Sequence, residues 1–280
     1  MDAELLIGSM SGRGRCMMSA LYEGARKAGV SAQRTDNYSG NPERLLVTYG
    51  LGDASRFAAF QKHRAKGGRS VITDMGFWAR KAGRPPSCLQ RFAINSAHCD
   101  ALVFAAPPNP DRLAKYGPVL RSLHNPDGPV IVVGQGAKGN LNSGYKSGEF
   151  ELKALAIARA RWPHKKVHYR PKMKRTGWPA LKGADITLTQ GTITDVLNGA
   201  SVVMCQHSNV GVDAVVAGVP VLAEAGAVCA LHGYGLDREP TVATVEDRQR
   251  FLEHLASWQW TPDEVAAGEV WPFLLEMLAA

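Results

Sequence analysis

The segment Ser201–Ala223, S-V-V-M-C-Q-H-S-N-V-G-V-D-A-V-V-A-G-V-P-V-L-A, limits the possible folds of this chain more than any other stretch. Val202–Cys205 has the length and β-branched content of a buried strand. Gln206-His207-Ser208-Asn209 supplies a polar turn in which Ser208 or Asn209 can cap a helix. Val210–Ala217 can then form a short helix, Gly218 can close it, and Pro220 opens a second strand. A helix starting at the carboxyl end of a parallel strand aims unpaired N–H groups and a partial positive charge at one spot. Phosphate is the natural guest there.

The same α/β rhythm runs through the rest of the chain. Glu4–Gly8 reads as a first strand, followed by the loop Ser9–Arg15 and an amphipathic helix ending near Ala28, with Gly29 as its cap. The glycines at 8, 12 and 14 do not match G-x-G-x-x-G, so the loop, with Arg13 on it, is expected to admit a second substrate. Leu45–Tyr49 is the next strand, and Asp53 caps a helix reaching about Lys66. Arg69–Asp74 is a third strand with Asp74 at its carboxyl end, where open α/β sheets bind ligands. Phe77 and Trp78 follow beside Arg80, Lys81 and Arg84, an aromatic pair among cations suited to stacking on a sugar or base.

In the second half Pro129–Gly134 is a Val/Ile strand ending in Gly134-Gln-Gly-Ala-Lys-Gly139. That spacing fails the G-x-x-x-x-G-K-[ST] phosphate loop, which disfavours a nucleoside triphosphatase. Glu149–Arg161 has helical spacing, Lys166–Arg170 is a strand running into Arg170-Pro-Lys-Met-Lys174, and Ile186–Leu188 is a short strand. Helical stretches carrying Trp258, Trp260, Trp271 and Phe273 complete the chain, one of them starting at Thr261-Pro262-Asp263-Glu264. The expected organisation is residues 1–126 as an N-terminal acceptor-side domain, 127–244 as a C-terminal nucleotide-binding domain, and 245–280 as helices packing back on the body.

Five widely spaced cysteines with no C-x-x-C pair argue for a reducing compartment and against a zinc site. Asp2 and Glu4 ahead of a short apolar run make no signal peptide, and no stretch reads as a membrane span. A cytoplasmic protein is expected, in a host cytoplasm if it is phage-encoded. The formal charge of +8 favours a polyanionic partner, and the basic residues concentrate between Arg56 and Arg91 and between Lys165 and Lys182.

Ser201–Ala223 resembles the donor-site motif of GT-B glycosyltransferases, and most of all the bacterial capsule-polysaccharide type with its pattern "hSnvGveAllaGvPV". His207, Ser208, Asn209, Gly211, Asp213, Ala214, Gly218, Pro220 and Val221 carry the match. Tyr169-Arg170-Pro171 is similar to the "yRPHP" strand end of those enzymes, with Lys172 in place of the motif's His. The resemblance implies an α/β fold of two Rossmann-like domains with a cleft between them. It implies that His207, Ser208, Asn209, Gly211 and Asp213, with Arg170, Lys172 and Lys174, hold a nucleotide-sugar donor. The donor is expected to be UDP-linked, with no cofactor and no metal, since no D-x-D triad is present. Asp74, with Asp53 second, is the candidate general base on position, and Arg13, Phe77, Trp78, Arg80, Lys81 and Arg84 are candidate acceptor contacts.

The leading expectation is a metal-independent glycosyltransferase acting on a hydroxymethylated DNA base, as the phage DNA-modifying glycosyltransferases do, with DNA as partner. A capsule or surface glycan is the rival acceptor. Two further functions fit the same residues: a sugar-nucleotide 2-epimerase, and a non-catalytic nucleotide- or DNA-binding protein. The oligomeric state is not fixed by the sequence.

Overall fold

The computed structural model describes residues 2–8, 10, 12–79, 88–172 and 180–280; Arg80, Lys81, Arg84 and Lys174 lie outside them. The chain forms two compact units, Met1–Gly117 with His254–Ala280, and Pro118–Glu253. The sequence places these divisions after residues 126 and 244; the units divide after Gly117 and Glu253.

The first unit contains β1 (Asp2–Leu6), α1 (Gly12–Lys27), β2 (Ser31–Thr35), β3 (Leu45–Tyr49), α2 (Ala54–Ala65), β4 (Ser70–Met75), β5 (Gln90–Ile94) and α3 (Pro110–Tyr116). The second contains β6 (Val130–Val133), α4 (Ala137–Ser143), α5 (Glu149–Arg161), β7 (Val167–Arg170), β8 (Ile186–Thr187), α6 (Ile193–Leu197), β9 (Val202–Cys205), α7 (Val210–Ala217), β10 (Val221–Ala223) and α8 (Cys229–His232). Helix α9 (Val245–Ser257) carries the chain back to the first unit, which ends with β11 (Gln259–Trp260), α10 (Pro262–Ala267) and α11 (Val270–Ala279).

The first sheet runs β11-β5-β4-β3-β1-β2. Strands β2, β1, β3 and β4 are parallel, while β5 and β11 each run against their neighbour. Strand β3 is buried from Leu45 to Thr48 because both faces of a parallel sheet are covered. Glu4 on β1 is only 1% exposed, and its carboxylate is satisfied by the Ser39 N–H at 2.7 Å and the Ser39 hydroxyl. Helix α1 lies against α10 so closely that a Cβ on Gly24 would overlap the Val265 carbonyl oxygen. Trp271 of α11, fully buried, donates its indole N–H to the Leu21 carbonyl of α1 at 3.0 Å. Trp258 and Trp271 are thus core of the first unit, with Trp260 and Phe273 half-buried beside them.

The second sheet runs β10-β9-β6-β7-β8 and every strand in it is parallel. Numbered within the unit this is the doubly wound 3-2-1-4-5 order. Strands β6 and β9 are fully buried, β6 wholly Val and Ile, and pack with Phe150, Ala154 and Ala158 of α5. Gly218 ends α7 in the left-handed region at φ 77°, its N–H reaching back to the Ala214 and Val215 carbonyls. Among the described residues no helix is long and apolar enough to cross a membrane.

Candidate functional site

All strands of the second sheet run the same way, so their carboxyl ends open on one edge. The strand order reverses between β6 and β9, and that switch point is where such sheets take ligands. Strand β6 delivers Gly134-Gln135-Gly136 and α4 to it, and β9 delivers residues 206–209 and α7. The two turns meet: a Cβ on Gly139 would lie 2.6 Å from Gln135 Oε1 and 2.9 Å from His207 Cε1. Only a residue without a side chain lets α4 pass this close.

The structure brings His207, Ser208, Asn209, Gly211 and Asp213 together at the start of α7. His207 Nδ1 is hydrogen-bonded to Gln206 Oε1. The Ser208 hydroxyl oxygen accepts the Val210 N–H at 3.2 Å, and its carbonyl accepts the Gly211 N–H at 2.9 Å. The Val210 and Gly211 N–H groups are therefore paired inside the turn. Gly211 is buried where a Cβ would press to 2.9 Å from Val228 Cγ1, which seats the first turn on α8's flank. Burial pushes the Cys205 thiol beneath this turn up to about 12, so it is a neutral group here. Asp213, half-buried in the first turn, favours the helix through the macrodipole and suits hydroxyls better than phosphate.

Arg170 ends β7 as the sequence predicts, but its guanidinium has local work. It donates to the carbonyls of Leu188 at 2.8 Å, Gln190 at 2.6 Å and Gly191 at 2.8 Å, bracing the segment between β8 and α6. Three of its five N–H groups are taken by these carbonyls. Lys172 beyond it is exposed. Arg170→Ala should lower the unfolding free energy by about 1.5–3 kcal/mol, measured by urea titration. A variant as stable as wild type, with donor use weakened, would return Arg170 to the donor phosphates.

Two residues of this edge belong to no motif in the sequence. Glu224 follows β10, and its N–H and that of Ala225 donate to the Gln206 carbonyl at 3.1 and 2.7 Å. Its carboxylate accepts the Tyr145 hydroxyl at 2.9 Å and Lys153 at 2.6 Å. The bonds to Glu224 and then Tyr145 hold the Lys153 ammonium charged well beyond its ordinary range. Gln135 is the second, visible in the sequence only within a failed phosphate loop. Its signal was a polar side chain at the carboxyl end of a strand.

In the first unit the parallel order β2-β1-β3-β4 reverses between β1 and β3. Arg13 reaches this region from α1, donating to Met75 Sδ and bonding Tyr49. Burial first, then the charge of Asp74, raises the Tyr49 phenol far above its ordinary value and keeps it protonated. Asp74 is half-buried, with Oδ1 accepting the Met75 N–H at 2.8 Å. Asp74, Arg13 and Tyr49 therefore form one cluster at the strand ends.

Other expected residues are elsewhere. Asp53 is the N-cap of α2, accepting from the Ser55 N–H, the Ser55 hydroxyl and the Arg56 N–H at 3.1, 2.5 and 3.2 Å. The Ser55 hydroxyl bond, ahead of the others, lowers its pKa, the wrong direction for a base. Phe77 and Trp78 are 1% and 7% exposed and offer no stacking face. The chain turns inward after β4, where Phe77 N–H donates to Gln259 Oε1 at 2.5 Å and Arg91 covers the Phe77 ring at 5.2 Å. Among the described residues no three His, Cys, Asp or Glu side chains gather as a metal site.

No protein-family model matches the chain, and no curated protein matches its sequence. Solved structures do match its fold. One is Thermosulfurimonas dismutans KpsC, beta Kdo 2,7 transferase, with a TM-score of 0.56 and 15% identity over 98% of this chain and 100% of that chain. Another is Thermosulfurimonas dismutans KpsC, beta Kdo 2,4 transferase, with a TM-score of 0.56 and 13% identity over 99% of this chain and 98% of that chain. At such identities the likeness is one of fold. In fold, this chain is similar to the GT-B glycosyltransferases of the capsule-polysaccharide type.

Proposed function

We propose that the chain is a glycosyltransferase that holds a nucleotide sugar at the β6/β9 switch point and passes the sugar to a hydroxyl acceptor. The observation that carries this reading is the meeting of the Gln135 and His207–Ser208 turns at the reversal of a 3-2-1-4-5 sheet. The full-length fold likeness to two Kdo transferases supports it. In this reading the Ser208 hydroxyl meets the donor phosphate, Lys172 adds charge as the bond to the leaving group breaks, and Asp213 meets hydroxyls. No metal is required. Asp74, with Tyr49 and Arg13 beside it, deprotonates the acceptor if the reaction inverts.

The test is a panel of UDP-, GDP- and CMP-linked sugars. A ligand at 100 times its dissociation constant adds roughly 2.7 kcal/mol to the folded state, a clear thermal shift. Release of free nucleotide in the presence of acceptor should follow for the sugar that binds. No shift and no turnover across the panel would end the reading.

For the acceptor we favour a glycan hydroxyl, because both fold neighbours are Kdo transferases by name. A DNA base is the second reading, favoured by the net charge of +8. Part of that charge is already engaged: Lys66 donates to the Gly40 carbonyl, Arg56 to that of Gly8, and Lys165 to that of Pro126. If DNA is the acceptor, duplex affinity should fall with salt at a log–log slope of about −0.9 per phosphate contacted. A flat salt dependence, or no duplex binding in low salt, would remove that reading.

A further inference from the structure

Gln135 is 6% exposed, and neither its Oε1 nor its Nε2 has a hydrogen-bond partner among the described residues. A buried carboxamide gives up its bonds to water on folding, so leaving both ends unpaired weakens the fold. Native chains rarely keep such a group without a use. Its backbone, by contrast, is fixed: the Gln135 N–H donates to Glu151 Oε1 at 2.7 Å. The side chain is directed to the switch point, where its Oε1 lies beside Gly139 and that glycine in turn borders the His207 ring.

The surrounding atoms define what would satisfy it. Glu151, whose Oε1 accepts the Gln135 N–H, is 1% exposed and keeps its Oε2 buried and unpartnered. With Gln135 Oε1 this makes two acceptors beside the one amide donor, Nε2. An anionic phosphate would be repelled by such oxygens. A neutral group rich in O–H donors, able also to accept from Nε2, matches them.

We infer that the Gln135 carboxamide is a specificity-determining contact that binds paired hydroxyls of the donor, an inference that rests on the proposed nucleotide-sugar site. The hydroxyls belong either to the nucleotide's ribose or to the sugar it carries. Adjacent hydroxyls offer one O–H to Oε1 while another oxygen accepts from Nε2. Gln135 thereby reads the polyol portion of the ligand, and the Ser208 turn meets its charge.

The test compares wild-type protein with Gln135→Met by isothermal titration. The probes are the panel member that binds wild type most tightly, its free nucleotide, and the 2′,3′-dideoxy form of that nucleotide. The variant should lose about tenfold or more in affinity for the nucleotide sugar, with the dideoxy nucleotide unaffected. Loss confined to the nucleotide sugar assigns the sugar's hydroxyls; loss shared by the free nucleotide assigns the ribose. Equal affinity of both proteins for all three probes would overturn the inference, as would the same factor lost on all three. The ligand-free variant should unfold no earlier than wild type, because an apolar chain of similar shape replaces unpartnered atoms. Earlier unfolding or failure to fold would show internal partners and also overturn it. Wild type binding no panel member ends the parent reading and this one with it; binding that ignores Gln135 ends this one alone.

Discussion

Asp74→Asn should cut glycosyl transfer by about 10²–10⁴-fold while leaving nucleotide-sugar affinity and the unfolding midpoint as they are. The carboxylate stands at the carboxyl end of β4, half-buried, with Tyr49 and Arg13 as neighbours. Asparagine keeps the size of the side chain, and its amide oxygen can still accept the Met75 N–H that Asp74 holds at 2.8 Å. It cannot take a proton. Tyr49 does not substitute, because burial, the larger cause of its raised pKa, remains in the variant and keeps its phenol protonated. Single-turnover rates with saturating donor would read the loss. An Asp74→Asn protein that transfers at the wild-type rate would remove Asp74 as base and favour a mechanism that retains configuration without one. Asp53→Ala is the matched control: it removes a helix cap, costing about 0.5–2 kcal/mol of stability, and should leave the chemical step alone.

Trp271→Ala should destabilise the first unit by about 3–5 kcal/mol. The ring is fully buried on α11 and its N–H is anchored on the Leu21 carbonyl of α1, so truncation opens a cavity and removes that hydrogen bond. The neighbouring aromatics share one packing cluster, with Trp258 and Phe273 edge to face at 5.1 Å between centroids. Guanidinium unfolding, followed by tryptophan fluorescence of the remaining indoles, would measure the change. A loss under about 1 kcal/mol, within the range of ordinary surface substitutions, would mean that α11 contributes little to the fold.

The strongest local patterns carried over from sequence to structure residue by residue. Val202–Cys205, Val210–Ala217 and the Gly218 stop are β9, α7 and its left-handed cap, because a continuous apolar run and a glycine corner leave few options. Leu45–Tyr49 and the Asp53-capped helix are likewise β3 and α2. Strand β2 was not legible: Ser-Ala-Gln-Arg-Thr is mostly exposed at the sheet edge and has no apolar face. Strands β5 and β11 run antiparallel and owe their places to tertiary pairing, which no local period announces. At the candidate site the resemblance grouped His207, Ser208, Asn209, Gly211 and Asp213, which lie close together in the chain. It missed Gln135 and Glu224, which reach the same edge only through strand order. The resemblance assigned Arg170 to a ligand, and strand position assigned Phe77 and Trp78, whereas backbone carbonyls hold the first and the core encloses the other two. Residue type and strand position alone cannot separate an outward side chain from one that turns in.

A crystal structure of the protein with its bound nucleotide sugar bears on all of this at once. The phosphate should lie within hydrogen-bond reach of the Ser208 hydroxyl, with the hydroxyl-bearing portion beside Gln135. A nucleotide seated instead at residues 8–14 of the first unit, with the Ser208 turn carrying nothing, would contradict it.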